Sequence, residues 1–270
     1  MFGKRDARSH IENKWLLGIQ QTLAIVAADI SKLRHDPTEL CTRMLQPAIW
    51  LFIFGQAMAK SVSIPTGGTS YLNYVAPGIL AQSVLFIAIF YGINLIWERD
   101  LGVVHKILVT PAPRIALVTG RGIAAGIRSL SQLIVIYGIS FLLGIDLRLE
   151  WGALLGIIAM VLLAGTLFST FSLIAACIVK KRERFMGIGQ VLIMPLFFAS
   201  NALYPIDQMP GWLQIVSKLN PLMYQVDAMR TFMIQSEVSH FGLTTDFGVT
   251  FVVLFVLLLI AAPMYPKILY

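Results

Sequence analysis

The chain has 270 residues, of which 57% are hydrophobic and only 13% charged, and its mean hydropathy is +0.77. Soluble domains carry about 25% charged residues, so this composition excludes an ordinary water-soluble enzyme and points to a core built against lipid. The formal charge of +7 then bears on topology and not on nucleic acid, and no nucleic-acid partner is expected.

Residues 1–40 predict an amphipathic helix lying on the membrane. Leu16, Ile19, Leu23, Val26, Ile30 and Leu33 recur at helical spacing, with Lys14, Asp29, Lys32 and Arg34 elsewhere on the wheel. The apolar stretch Trp15–Ala28 is broken by Gln20, Gln21 and Thr22 and has no small-residue cleavage site close behind it, so no cleavable signal peptide is expected. His35-Asp36-Pro37 ends the helix.

Residues 41–270 follow as one membrane domain. A bilayer core of about 30 Å needs about 20 apolar residues per helix. Six charge-poor stretches meet that length approximately: 44–59, 76–97, 120–145, 152–178, 185–206 and 247–266. They are continuous apolar runs without alternation, which predicts helices and not barrel strands. The fold class is therefore an all-α integral membrane protein with six transmembrane helices.

Of the 21 lysines and arginines, all but Lys60, Arg148, Lys218 and Arg230 fall before the first span, in alternate gaps, in the adjoining half of span three, or after the sixth. The positive-inside rule places those gaps, and both termini, in the cytoplasm. Arg121 and Arg128 fall inside the third span and either snorkel outward or face a polar interior. Cys41 and Cys177 map near the cytoplasmic face, where a disulfide is not expected.

Two connections carry more than topology. Residues 97–114 hold a short apolar face of Val103, Val104, Ile107 and Leu108 opposite Arg99, Asp100, His105 and Lys106. Pro111 and Pro113 end that helix. A short amphipathic helix between two spans suits docking into a partner's groove. Residues 201–230 are apolar but broken by Pro205, Pro210 and Pro221. One stripe joins Trp212, Leu213, Val216 and Leu219, and another joins Leu222, Val226 and Met229. Such pieces predict short outer helices re-entering the membrane. Gly122/Gly126 and Gly152/Gly156 are spaced for close helix approach. Lys180–Arg184 is expected to anchor topology and touch anionic lipid.

Enzymatic signatures are missing. The sequence has no GxxxxGK[ST], HExxH, CxxC or GxSxG, and its four histidines lack metal spacing. No catalytic residue, bound cofactor or metal is expected. The spans also lack the acidic residues of an ion-coupled carrier, which leaves a transporter powered by a partner or a non-transporting membrane scaffold that recruits one.

Three sets of residues carry a resemblance: His35-Asp36-Pro37; Glu98-Arg99 with Gly102 running on to Thr110-Pro111; and Tyr204-Pro205, Met209-Pro210, Asn220-Pro221 and Ala228-Met229-Arg230. In this order the chain resembles the membrane (permease) subunit of type-2 ABC exporters, the branch of daunorubicin-resistance and nodulation-type permeases. The resemblance covers nearly the whole length. It implies a homodimer, or a dimer with a related permease, above separate cytoplasmic ABC ATPase subunits that hold ATP and magnesium. It makes residues 1–40 an interface helix and the 98–110 segment a coupling helix, with Glu98, Arg99, Gly102, Val104, Ile107 and Leu108 meeting the ATPase. Glu98 would pair with a basic neighbour such as Arg34 or Arg99. The resemblance lines the cargo path with spans one, two and five, where Trp50, Phe54, Gln82, Phe86, Phe90, Asn94, Phe197, Phe198 and Asn201 are the candidates. The implied role is an ATP-driven exporter of apolar or amphipathic cargo (drug, lipid or lipid-linked saccharide), set in a prokaryotic inner membrane and in contact with its lipids.

Overall fold

The computed structural model describes residues 20, 22–24, 26–27, 31, 45–61, 70–108, 113–179, 181–235 and 237–269. The described residues are almost wholly helical, with one isolated antiparallel bridge between Leu147 and Ile234. Nearly all of the expected 1–40 helix lies outside them. What is described there includes a buried Val26, and Thr22 donates to the Ala116 carbonyl at 3.2 Å.

A π-helix, Trp50–Gly55, leads into α1 (Gln56–Ser61). They overlap an apolar helix, Leu45–Met58, that is shorter than the candidate spans. The long helices are α2 (Tyr71–Asp100), α4 (Arg114–Leu142), α5 (Trp151–Val179) and α9 (Leu243–Met264), with α3 (Val103–Leu108) between the first two. These four long helices, the last extended to Ile268, are apolar enough and long enough to cross a membrane. Thirty residues at 1.5 Å each make about 45 Å, more than the hydrocarbon core.

The fifth expected span, 185–206, is shorter than its composition suggests. Helix α6 (Arg182–Phe198) stops at Phe198. Its last carbonyls are met from a distance: Asn220 Nδ2 donates to Leu196 O at 2.6 Å and to Ala199 O at 3.2 Å. Residues 199–205 form a turn, and two short helices follow, α7 (Gly211–Leu219) and α8 (Pro221–Met233). The two stripes expected there face opposite ways. Leu222, Val226 and Met229 are wholly buried, whereas Trp212 and Leu219 are 68% and 81% exposed.

Helix α2 is the centre of the fold. It is buried along most of its length and packs on α4, α5, α6 and α8. Small residues set the close approaches. A β-carbon at Gly126 would lie 2.7 Å from the Leu162 carbonyl oxygen, and one at Gly165 would lie 2.8 Å from the Gly126 α-carbon. Gly122 and Gly126 therefore act as their spacing suggests. Of the other pair, Gly156 receives the Phe232 ring while Gly152 has nothing near it. Ser172 donates to the Ile89 carbonyl and accepts from the Gly92 N–H, which stitches α5 to α2. By contrast, α9 shows Phe251, Val252, Phe255, Val256 and Leu259 on its surface, the apolar exterior that lipid covers.

Candidate functional site

The C-terminal end of α2 gathers charge that the helices around it return. Leu101 N–H bonds the Trp97 carbonyl, Gly102 N–H bonds the Arg99 carbonyl, and Gly102 takes φ 72°. This left-handed close is cheap only for glycine, and it turns the chain directly into α3. Val104 is wholly buried, in a cluster with Leu95, Ile96, Leu117, Phe185 and Tyr265. It therefore anchors α3 to its own chain, while Leu101 and Val103 face outward. Ile107 and Leu108 complete α3, but their side chains lie outside the described set.

Glu98 forms an ion pair with Arg121 of α4, and that arginine is 4% exposed. Of the two expected partners, Arg34 lies outside the described residues, and Arg99 pairs with Asp100 at 2.8 Å. Arg121 also lies over the Tyr265 ring at 5.9 Å. Arg121 and Arg128 both face the protein interior, which settles their direction. Asp100 takes a second guanidinium: Arg182 Nη2 approaches at 2.6 Å, and the same guanidinium stacks over Trp97 at 3.7 Å. The start of α6 is thereby tied to the root of α3. The basic run 180–184 thus includes a contact residue that charge counting missed.

The candidate path residues divide into two groups. Trp50 and Phe54, one turn apart around the π-helix, have ring centroids 4.9 Å apart, and Phe197 joins Trp50 at 6.0 Å. Phe198 continues from Phe197 at 5.6 Å and is 42% exposed. The second group is on α2, where Phe86 and Phe90 lie 4.5 Å apart. Gln82 is buried, and Asn94 is partly buried. Asn201 belongs to neither: it is buried in the turn after α6, and its carbonyl accepts from Tyr74 Oη at 2.9 Å and Arg230 Nη2 at 2.7 Å.

That turn exposes a role hidden in the sequence. Residues 199–204 press on α2 so closely that a β-carbon at Gly78 would lie 2.4 Å from the Ala202 carbonyl oxygen. Tyr71 Oη donates to Leu203 O at 3.3 Å. Irregular backbone at membrane depth needs such partners. Arg230, counted among outer charges by sequence, is a buried member of this set and stacks on Tyr74 at 3.8 Å. Asp246 sits wholly buried in the first turn of α9. Ser239 Oγ lies 2.8 Å from Asp246 Oδ2 and 3.0 Å from Asp227 Oδ2. The N–H groups of His240 and Phe241 also donate to Asp227. This cluster folds the connection back onto α8 and α9. Nothing in its local sequence pattern marks it.

Residues 20–234 match the family described as ABC-2 type transporter. The chain belongs to the ABC-2 type transporter family. It is 29% identical over 262 residues to a putative transport permease, ycf38, of Cyanophora paradoxa, covering 93% of this chain and 89% of the relative. It is 27% identical over 238 residues to the daunorubicin resistance ABC transporter permease protein DrrB1 of Streptomyces coeruleorubidus, covering 86% and 78%. Nodulation protein J of Rhizobium meliloti is 27% identical over 202 residues, covering 74% and 76%. This ABC-2 chain is thus a transmembrane transport permease, as its composition and motifs together imply.

Proposed function

We propose that this permease is the membrane half of an ATP-driven exporter and that a separate ABC ATPase engages it through α3 and the 1–40 segment. Leu45–Met58 and α6 complete six spans, and both termini lie in the cytoplasm, in a prokaryotic inner membrane. Two such subunits, identical or related, flank the pathway. The aromatic groups on the π-helix, α2 and α6 suit an apolar or amphipathic cargo, such as a drug, lipid or lipid-linked saccharide.

The observation that carries this reading is the Glu98–Arg121 pair at the root of α3. A push on α3 meets a rigid joint there. Glu98 passes it to α4 and Asp100 passes it to α6 through Arg182. Transport then follows as a population shift that the nucleotide drives.

Replacing Glu98 by Ala would strand the buried Arg121 guanidinium and disturb folding together with coupling. Glu98→Gln keeps an acceptor and removes the charge. In vesicles holding the permease and its ATPase, this variant is expected to assemble and to continue hydrolysing ATP while transport falls about tenfold or more. Transport at the wild-type rate would remove Glu98 from the joint. An assembled wild-type complex that moves nothing across a broad cargo panel would favour a scaffold.

A further inference from the structure

Asp227 of α8 and Asp246 of α9 meet at one hydroxyl. Ser239 Oγ lies 3.0 Å from Asp227 Oδ2 and 2.8 Å from Asp246 Oδ2, and it also accepts from the Gly242 N–H at 2.7 Å. A serine has a single hydrogen to give, and an ionised carboxylate has none. Ser239 therefore donates to one of the two carboxyl groups only. The other would press its lone pairs against the Ser239 oxygen unless it brought a hydrogen of its own.

The surroundings decide which one brings it. Asp227 Oδ2 accepts from the N–H groups of His240 at 2.8 Å and Phe241 at 3.1 Å, the donor set of an ionised carboxylate. Asp246 has no such set. It is wholly buried, and its Oδ1 has no hydrogen-bond partner. Among the described residues no ion pair includes it. The arginines at this end of the bundle are committed elsewhere. Arg230 of α8 bonds the Asn201 and Tyr74 carbonyls, and Arg148, between α4 and α5, bonds those of Thr231 and Gln235. Lys218 lies exposed on α7, and the His240 ring stands edge-on to Phe241. Asp146, Glu150 and Glu237 add only negative charge. The start of α9 favours a negative group, but that gain is a small part of the cost of burying a carboxylate with one shared hydrogen bond.

We propose that Asp246 holds a proton in the folded permease: its O–H donates to Ser239 Oγ, whose own hydrogen goes to the ionised Asp227. Each hydrogen then has one acceptor, and the Gly242 N–H fills the remaining lone pair of Ser239. The bound proton latches the connection between α8 and α9 onto both helices. In the unfolded chain both aspartates are ionised near neutral pH, so folding takes up a proton and the latch weakens as the pH rises. The inference goes beyond the exporter reading and does not depend on it.

At about pH 7, where a free aspartate is ionised, infrared spectroscopy of the full chain in an ester-free detergent reads the proton directly. One carboxylic-acid carbonyl band is expected that moves in heavy water, moves again when the chain carries carboxyl-labelled aspartate, and vanishes in Asp246→Asn. The label serves if the variant fails to fold, because a parent without an aspartic-acid band overturns the proposal. So does a band that survives in Asp246→Asn and vanishes in Asp227→Asn. A cation held between two ionised carboxylates would leave no band and overturns it equally. Asp246→Asn, whose Nδ2 donates to Ser239 as the acid does, should keep the unfolding midpoint within about 2 °C of the parent, whereas Asp227→Asn should lower it by about 4 °C or more. The reverse order would place the proton on Asp227. Amide exchange at His240, Phe241 and Gly242, corrected for the intrinsic rate, should quicken from about pH 7 to about pH 9 in the parent and not in Asp246→Asn. An equal response in both proteins overturns the latch.

Discussion

Arg230 and Arg121 carry a charge into the interior of a lipid-facing fold, and each is made tolerable by a different partner. A charge buried there without compensation is expensive. Arg121 has Glu98. Arg230 has the Asn201 carbonyl, the Tyr74 carbonyl at 3.4 Å and the Tyr74 ring face. Its guanidinium thereby adds a second, charged donor to the Asn201 carbonyl, which also accepts from Tyr74 Oη. Arg230→Ala is expected to destabilise the fold by about 2–3 kcal/mol, the loss of charge-assisted hydrogen bonds to buried carbonyls. A lowered thermal unfolding midpoint in detergent is the readout. Arg230→Lys should recover less than half of that loss, because an ammonium neither stacks flat on Tyr74 nor spans two carbonyls. A lysine variant as stable as the parent would show that charge alone is what the site needs.

At the scale of elements, Asn220 joins two helix ends. Its Oδ1 caps α8 by accepting from Leu222 N–H at 3.0 Å, with Pro221 at the first helical position. Its Nδ2 closes the end of α6. Asn220→Ala is expected to cost about 1 kcal/mol for the cap and about 1–3 kcal/mol for the uncovered carbonyls. Thermal unfolding measures that loss, and amide exchange in residues 196–204 should quicken with it. Unchanged exchange there would mean that α6 ends where it does without Asn220. This joint also marks where the sequence stops being legible. Hydropathy identifies α2, α4, α5 and α9, because burial against lipid is written into composition. It overruns α6, whose last turn is met by a side chain 24 residues away that periodicity does not register. Periodicity finds the Trp212 and Leu222 stripes but not their direction, since a stripe has the same spacing whether protein or lipid covers it. Among the site residues, Glu98 and Gly102 are legible as a helix end and a turn. Arg182 is not, because its meaning depends on Asp100 and Trp97 of another helix.

For the whole molecule, the helix ends sort into two sets. One end holds Glu98, Arg121, Asp100, Arg182 and Tyr265 in contact. The other holds the Leu147–Ile234 bridge, the Asn73–Asp146 hydrogen bond at 3.0 Å, and Arg148 donating to Thr231 O at 3.2 Å. The first end is rich in arginine, and the positive-inside rule assigns it to the cytoplasm. The second then carries α7, with Trp212, Ile215, Val216 and Leu219 exposed at successive turns of one face. An apolar face with an aromatic residue suits the outer interface of a bilayer. Lys218, on the same helix, is exposed, as is Val238 in the connection to α9. Single cysteines there, in a chain otherwise free of cysteine, should react with a membrane-impermeant maleimide added to intact cells. A cysteine at Leu101, which is 71% exposed beside α3, should react only after the cells are opened. The reverse pattern would turn the molecule over and remove α3 from reach of any cytoplasmic ATPase. Equal labelling of all three in intact cells would mean that the arginine-rich end does not set the orientation. The contrast tests position across the membrane directly, because each of these three side chains is exposed in the fold and none is needed by the packing between helices.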